Sequence, residues 1–183
     1  MKYYIYISGF GTWQDPLRRL ALLSWKSRTS KVTFVPMRWT DEVETYQQKY
    51  TRVMNVVERA SVEDEIILVG ESAGGAMALA IFAQNLERVN SVVTICGYNH
   101  GSADVGTWYR RRSPAFYEAV QASEQLIAHF SPVALQRITT IYSTTDRTVT
   151  PTHSRIDGSQ TVELQSGGHL LNIVQVLLKR RGI

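Results

Sequence analysis

The residues with the clearest chemical potential lie in the stretch Val69-Gly70-Glu71-Ser72-Ala73-Gly74-Gly75, where a serine stands between glycines. A serine hydroxyl is a weak nucleophile until it is held in a fixed, exposed position beside a base. The apolar run Glu65–Gly70 predicts a strand covered on both faces, and the small residues Ala73–Asn85 predict a helix directly after Ser72. Glycines around the serine leave room where the backbone crowds. We therefore expect Ser72 on a sharp strand-to-helix turn.

This turn resembles the nucleophile elbow of the α/β-hydrolase fold family. The resemblance implies a catalytic triad in the chain order serine, acid, histidine, and this sequence offers that order. Asp146 follows the predicted strand Ile138–Ser143 in an Asp-x-x-Val-x-Pro stretch, and His169 stands between a glycine-rich loop and the predicted helix Leu170–Arg181. His169 would then take the proton of Ser72 during attack on a carbonyl, and Asp146 would orient the imidazole and stabilise its cation.

The other titratable residues fit these roles less well. His100 and His129 fall inside a long segment without strand patterns, and His153 follows the predicted acid too closely to come from a separate final strand. Asp157 is the second choice for the acid, although it belongs to an Asp-Gly turn signal. Neighbouring residues on a sharp turn point in different directions, so we expect Glu71 to tune the site or satisfy a local hydrogen bond.

The resemblance also implies an oxyanion hole made of two backbone amides. One donor is the amide of the residue after the nucleophile, here Ala73, and the other comes from the loop after an early strand. That loop is Ser8–Trp13, and Phe10 would supply the amide. The family often has a histidine at the start of this loop, where this chain has Ser8. Trp13 either lines the acyl pocket or simply packs.

Strand-like and helix-like patterns alternate along the chain. This alternation predicts an α/β fold, a three-layer α/β/α sandwich with about six mostly parallel strands. It would be a minimal α/β-hydrolase fold without the leading antiparallel strands of larger members, and without a helix in the short, polar stretch Thr152–Gln160. The predicted strands are Tyr3–Ser8, Lys31–Met37, Glu65–Gly70, Asn90–Cys96, Ile138–Ser143 and Thr161–Gln165, and the predicted helices are Leu17–Ser27, Glu42–Ala60, Ala73–Asn85 and Leu170–Arg181.

Residues 97–136 interrupt this alternation, and the family often has a cap over the active site at this place in the chain. Residues 97–106 are loop-like, and Ser113–Phe130 has a helical pattern. Aromatic side chains of the segment either line an apolar substrate pocket or pack beneath the cap: Trp108, Tyr109, Phe116 and Tyr117. The cluster Arg110–Arg112 either attracts an anionic substrate or phospholipid surface, or is a solvated loop.

Length and composition narrow the classes of protein. The 183 residues suit a single domain, 1–183, and the net charge of +4 is too small to indicate a nucleic-acid partner. The one cysteine, Cys96, excludes an intramolecular disulfide and a site of several thiolates for zinc. We expect no metal, cofactor, signal peptide or stable membrane insertion, and a cytoplasmic location.

The sequence therefore predicts a serine hydrolase of the esterase, lipase or thioesterase type. Its partner would be a small-molecule acyl ester or thioester, cleaved through an acyl-enzyme. Two alternatives stay open: a binding protein that keeps this scaffold without turnover, and an acyltransferase or perhydrolase that uses the same triad. The pattern carries no information on oligomeric state.

Overall fold

Six strands form one parallel sheet in the part of the chain that the structure describes, residues 1–165 and 167–179 of a computed structural model. Their order across the sheet is β2-β1-β3-β4-β5-β6. The strands are β1 (Lys2–Ile7), β2 (Ser30–Val35), β3 (Glu65–Glu71), β4 (Ser91–Ile95), β5 (Ile138–Tyr142) and β6 (Gln160–Glu163). Because all five neighbouring pairs are parallel, the predicted parallel sheet of about six strands is confirmed.

Helices cover both faces of the sheet. They are α1 (Asp15–Leu23), α2 (Tyr46–Glu58), α3 (Gly74–Gln84), α4 (Thr107–Arg112), α5 (Pro114–Ile127), α6 (Pro132–Leu135), α7 (Pro151–Ser154) and α8 (His169–Lys179), with short 3₁₀ turns at Thr12–Gln14 and Ser102–Asp104. Helices α1 and α8 pack on one face, and α2, α3 and α5 contribute to the core on the other. The three-layer sandwich predicted from the sequence is therefore confirmed.

The apolar run of β3 is explained by its place in the sheet. Successive side chains of a strand point to opposite faces, so Ile66 and Leu68 join the core under α2, α3 and α5, while Ile67 and Val69 join the core under α1 and α8. A strand buried on both faces is apolar at every position rather than at every second one. This burial fixes the strand that leads into Ser72.

Several helix boundaries differ from the prediction. Helix α2 begins at Tyr46, not Glu42, because Thr45 accepts a hydrogen bond from the Gln48 amide and Gln48 bonds back to the Thr45 amide. Upstream, the Asp41 carboxylate accepts from the Val43 amide, a local turn that competes with the helix. A short helix, α7, stands where none was predicted, and the predicted end of α8 at Arg181 lies outside the described residues.

Segment 97–136 belongs largely to the layer of helices on the α3 side of the sheet. Its main helix, α5, packs on α3, and Phe116, Ala119 and Val120 are buried in the core of that face. The smaller pieces, the 3₁₀ turn and α4, follow β4 in the chain and contact α5. Helices α4 and α6 were not predicted individually, because each is too short for a helical period to show.

Candidate active site

Ser72 follows the last residue of β3 and precedes α3. Its φ of 50° places it in the left-handed region, which a side chain other than glycine enters at a cost. The turn fits because Gly70 and Gly74 carry no side chain: a Cβ at Gly70 would lie 2.5 Å from the Gly74 carbonyl oxygen. The Ser72 amide donates to the Ile95 carbonyl at the end of β4, 3.0 Å away. The strained turn is thus held by the sheet beside it.

His169 joins Ser72 to Asp146. Its Nε2 lies 2.9 Å from the Ser72 Oγ, and its Nδ1 lies 2.7 Å from the Asp146 Oδ2. An ionised carboxylate only accepts hydrogen bonds, so Nδ1 carries the ring proton and Nε2 accepts from the serine hydroxyl. The three residues come from the turn after β3, from the loop after β5 and from the first residue of α8. The structure therefore brings together all three residues that the sequence proposed for a triad.

The environment of Asp146 favours its ionised form. Burial raises its pKa, but the hydrogen bond and charge of His169, with the amides of Val149 and Thr148, outweigh burial and hold the pKa below its ordinary value. Both amides donate to Oδ1, at 3.1 and 2.9 Å, while His169 takes Oδ2. Asp146 thus stays a fixed negative charge against the imidazole.

Cys96 lies against this pair. Ligand atoms of Cys96, Asp146 and His169 all fall within 4.8 Å of one another. Burial raises the pKa of the thiol, and so does the charge of Asp146, so Cys96 remains a neutral thiol. The sequence alone linked this cysteine only to disulfide and zinc chemistry, because its proximity to Asp146 and His169 arises from the fold.

The two proposed oxyanion donors line the same cavity beside Ser72. That cavity includes Phe10 and Ala73. The loop before Phe10 approaches the nucleophile closely, since a Cβ added to Gly9 would lie 2.8 Å from the Ser72 Cβ. Ser8 supports the loop from the other side, where its Oγ accepts from the Met37 amide and its carbonyl accepts from the Trp39 indole.

A second ion pair, which sequence analysis did not predict, braces this loop. The buried guanidinium of Arg18 donates Nε to Glu71 Oε2 at 2.8 Å and Nη2 to Glu71 Oε1 at 2.5 Å. The same guanidinium donates to the carbonyl oxygens of Phe10 and Gly11, at 2.9 and 2.8 Å. Arg18 therefore ties the residue before Ser72 to the carbonyl groups of Phe10 and Gly11.

The ion pair of Arg18 and Glu71, which we term the brace, is buried. Burial lowers the pKa of Arg18, but the hydrogen bonds and charge of Glu71 prevail and raise it above its ordinary value. Tyr6 donates its hydroxyl to Glu71 Oε2 at 2.5 Å, and burial together with that carboxylate raises the pKa of Tyr6 well above its usual range. Arg18 lies four residues before the buried Leu22 on α1, and this spacing is the signal that could have revealed a buried arginine.

Two cavities open beside Ser72. The first, of about 230 Å³, is walled by Tyr98, Tyr109 and Phe116 and ends at Asp104 and His153. The second, of about 250 Å³, is lined by the brace, His169 and Leu170. If the carbonyl carbon of a substrate lay at Ser72 Oγ, one of its two substituents would therefore extend into each cavity.

His153 closes the first cavity and is held on every side. Its Nε2 lies 3.0 Å from Asp104 Oδ2, its Nδ1 lies 3.0 Å from Thr150 Oγ1, and its ring stacks on Tyr98 at 4.7 Å between centroids. Asp104 was not predicted at the site, because it reaches the cavity through the fold of segment 97–136 rather than through a motif.

The four aromatic residues predicted to bind substrate divide into two pairs. Tyr109 and Phe116 line the first cavity. Trp13 and Trp108 are 72% and 58% exposed, and among the described lining residues they belong to neither cavity at Ser72. Trp13 lies in a groove between α1 and α8 instead, because the 3₁₀ turn at Thr12–Gln14 directs it outward.

The basic cluster of α4 has structural partners. Arg110 donates to the carbonyls of Val105, Ser102 and Ala103, and Arg112 pairs with Glu42 at 2.8 Å. These contacts fasten segment 97–136 near the cavity mouth. Among the described helices, none combines the length and the apolar character needed to cross a bilayer.

Comparison with known proteins assigns the family. A family model described as the α/β hydrolase fold matches residues 26–123, just over half of the chain. The chain therefore belongs to the α/β-hydrolase fold family. The matched segment contains Ser72 and ends before Asp146 and His169.

Solved structures show the same fold at low sequence identity. Polyneuridine aldehyde esterase is 14% identical, with 99% of this chain and 95% of that chain covered and a TM-score of 0.62. Est1E from Butyrivibrio proteoclasticus is 11% identical (98% and 85% covered, TM-score 0.64), and the ydeN gene product from B. subtilis is 15% identical (98% and 98%, TM-score 0.58). A search of curated proteins found no match.

Proposed function

We propose that this protein is a serine hydrolase that cleaves a small-molecule ester or thioester through an acyl-enzyme. The observation that carries the proposal is the continuous hydrogen-bonded chain from Ser72 Oγ through His169 to Asp146, built on a strained turn at the mouth of two cavities. A serine activated in this way is the standard requirement for nucleophilic acyl transfer. Membership of the α/β-hydrolase family, and the esterases among its structural neighbours, support the same reading.

In the proposed mechanism, Ser72 Oγ attacks the substrate carbonyl while its proton passes to His169 Nε2. The resulting oxyanion would accept hydrogen bonds from the amides of Phe10 and Ala73. The C–O or C–S bond then breaks, His169 gives its proton to the departing alcohol or thiol, and the acyl group stays on Ser72. Water then attacks the acyl-Ser72 ester while its proton passes to His169, and His169 returns a proton to Ser72 Oγ as the acid product leaves. Asp146 keeps its negative charge throughout.

The two cavities divide the substrate at its carbonyl. The first has aromatic walls, so we assign it to the acyl chain. The second runs past His169, which must protonate the leaving group, and we assign it to the alcohol or thiol. Residues 97–136, which include α4, would act as a short cap, and Tyr109 and Phe116 would be the side chains that this segment contributes to the pocket. Trp13 and Trp108 have no place in this assignment.

A fluorophosphonate probe tests the proposal directly. We expect the wild-type protein to be labelled and Ser72→Ala to remain unlabelled. The matched control is Ser24→Ala, an exposed serine that donates to the Ala21 carbonyl, and it should be labelled like wild type. A folded wild-type protein that takes no label and hydrolyses no p-nitrophenyl ester would overturn the proposal. Hydrolysis rates across esters of rising acyl length then measure the first cavity.

A further inference from the structure

Helices α1 and α8 expose an unusual amount of apolar surface, which we term the α1–α8 face. Each of its large side chains is more than one-third exposed: Trp13, Leu17, Leu20, Leu23, Leu170, Leu171, Val174 and Leu178. Helix α8 also buries Ile173, Val176 and Leu177 against the sheet, so it carries apolar side chains on an exposed side as well as on its buried side. A surface helix normally turns a polar face to water, so this pattern indicates that something covers the α1–α8 face.

The face is continuous with the candidate active site. Helices α1 and α8 pack side by side and leave a groove of about 440 Å³ between them. The groove shares Gln14, Arg18, Leu170 and Ile173 with the cavity that runs past His169. Whatever covers the groove therefore lies at the opening through which the proposed leaving group departs.

The charges around the face are positive. In the described residues of α1 and α8, the one carboxylate is Asp15, and Arg18 already pairs with it at 2.9 Å. Arg19 and Lys179 are exposed on these two helices, and Lys26 and Arg28 are exposed just after α1. The sequence adds Arg180 and Arg181 directly after α8. An apolar surface bordered by cations complements the anionic headgroups and acyl chains of a lipid surface.

Two further considerations favour lipid over a second copy of this chain. Packing two α1–α8 faces together would bring like cations close to one another, which is unfavourable, whereas anionic headgroups would neutralise them. The most exposed aromatic of the face is Trp13, and tryptophan prefers the boundary between acyl chains and water. A helix pair of this kind lies in the plane of the interface and need not cross it.

We propose that the α1–α8 face docks the protein reversibly on anionic lipid surfaces and turns the leaving-group side of the active site toward the lipid. Docking uses none of the catalytic residues, so vesicle binding can be tested separately from catalysis, whereas the orientation of the leaving-group side rests on the proposed function. In the docked state, Leu17, Leu20, Val174 and Leu178 lie among the acyl chains, while the cations at the border contact headgroups.

Co-sedimentation with vesicles measures the docking. Vesicles of phosphatidylcholine and phosphatidylglycerol should retain the wild-type protein, and vesicles of phosphatidylcholine alone should retain much less. Added salt should release the protein, because it screens the attraction between the exposed cations and the headgroups. Ser72→Ala should bind like wild type, which separates this result from any failure of catalysis.

Paired variants locate the surface. Leu20→Gln combined with Leu178→Gln should weaken vesicle binding by about tenfold or more, since both side chains leave water on docking. The matched control is Val62→Gln with Val133→Gln, two exposed aliphatic residues outside the face, and it should bind like wild type. Both pairs should hydrolyse a soluble ester at the wild-type rate.

Three outcomes would overturn the proposal. The first is a folded wild-type protein that stays in the supernatant with anionic vesicles. The second is an equal loss of vesicle binding in both variant pairs, which would show that binding does not depend on the α1–α8 face. The third is a wild-type dimer in sedimentation velocity that becomes a monomer in the Leu20→Gln and Leu178→Gln variant, together with no binding of the protein to vesicles. That result would assign the α1–α8 face to a second copy of this chain.

Discussion

Two buried carboxylates stand on opposite sides of Ser72, and they have different partners. Asp146 is 3% exposed and faces His169, the imidazole that would take and return the Ser72 proton during a reaction. Glu71 is 1% exposed and faces Arg18, which stays charged at every accessible pH. The first pair can respond to a reaction, whereas the second can only hold its neighbours in place. The comparison separates the residues that move protons from those that keep the backbone in position.

The largest effect is expected on the Asp146 side. Asp146→Asn should lower kcat by about 10³- to 10⁴-fold, because an amide no longer fixes the imidazole tautomer or stabilises its cation. Circular dichroism should show a folded protein. Asp157→Asn, an exposed acid in a turn, is the matched control and should keep wild-type kcat. An Asp146→Asn enzyme with normal kcat would show that both carboxylates are structural.

Breaking the brace should cost both stability and rate. Arg18→Met leaves Glu71 buried without its cation, which should lower the free energy of unfolding by about 3–5 kcal/mol. It should also lower kcat by about 10²-fold, since the Phe10 peptide loses its anchor and the oxyanion a well-placed donor. Urea unfolding and ester hydrolysis measure the two effects. Arg19→Met, its exposed neighbour, loses the contact of its guanidinium with the Phe34 ring and should change the free energy of unfolding by less than about 1 kcal/mol.

Removing both charges of the brace sharpens the distinction. Arg18→Met combined with Glu71→Leu and with Tyr6→Phe, which removes the buried hydroxyl that would otherwise lose its acceptor, should regain most of the lost stability, because an apolar cluster of similar size needs no counter-charge. The value of kcat should stay low, because the carbonyls of Phe10 and Gly11 still lack their donor. If kcat returned together with stability, the brace would act through folding alone and not through the shape of the loop.

A smaller effect is expected at Tyr6, whose hydroxyl donates to the Glu71 carboxylate of the brace. Tyr6→Phe removes the hydroxyl that donates to Glu71 and should lower the free energy of unfolding by about 1.5–3 kcal/mol. The bidentate contact of Arg18 remains, so kcat should fall by no more than about threefold. A larger loss of kcat than in Arg18→Met would place the Tyr6 hydroxyl, not Arg18, at the centre of the brace.

The smallest effect concerns acid stability. The pKa of Asp146 is lowered in the folded protein, so its ionisation adds stability that is fully present above the ordinary pKa of an aspartate, about 4, and is lost as the pH falls through the lower folded value. The difference in unfolding free energy between wild type and Asp146→Asn should therefore shrink below about pH 4. A difference that grew on acidification would contradict the favourable environment of Asp146.

Local patterns were enough to predict the sheet, because each strand carries its own signature. The run Ile66-Ile67-Leu68-Val69 is apolar at every position, and burial of β3 on both faces requires that. The start of α2 was misplaced by the acidic residues before it, which make turns and ion pairs instead of a first helical turn. The capping box of Thr45 and Gln48 decided that boundary, and this local signal was outweighed in the prediction by the helical spacing that continues back to Val43.

The candidate site shows the same division. Ser72, Asp146 and His169 were predicted to meet because their order in the chain and the loops that carry them resemble the triad of the α/β-hydrolase family. Arg18 and Asp104 were missed because their roles depend on tertiary contacts, one across the sheet face and one through an irregular segment. Trp13 shows the converse: it is close to the oxyanion loop in sequence and turns away from Ser72 in space.

The positive φ of Ser72 has an evolutionary consequence. A glycine at position 72 would adopt that conformation without strain, so Ser72→Gly should relieve about 1–2 kcal/mol and destroy the nucleophile. At position 72, the residue that would maximise stability thus differs from the residue that the proposed chemistry requires. Selection for stability alone would favour glycine there, and only continued demand for the hydroxyl would retain serine.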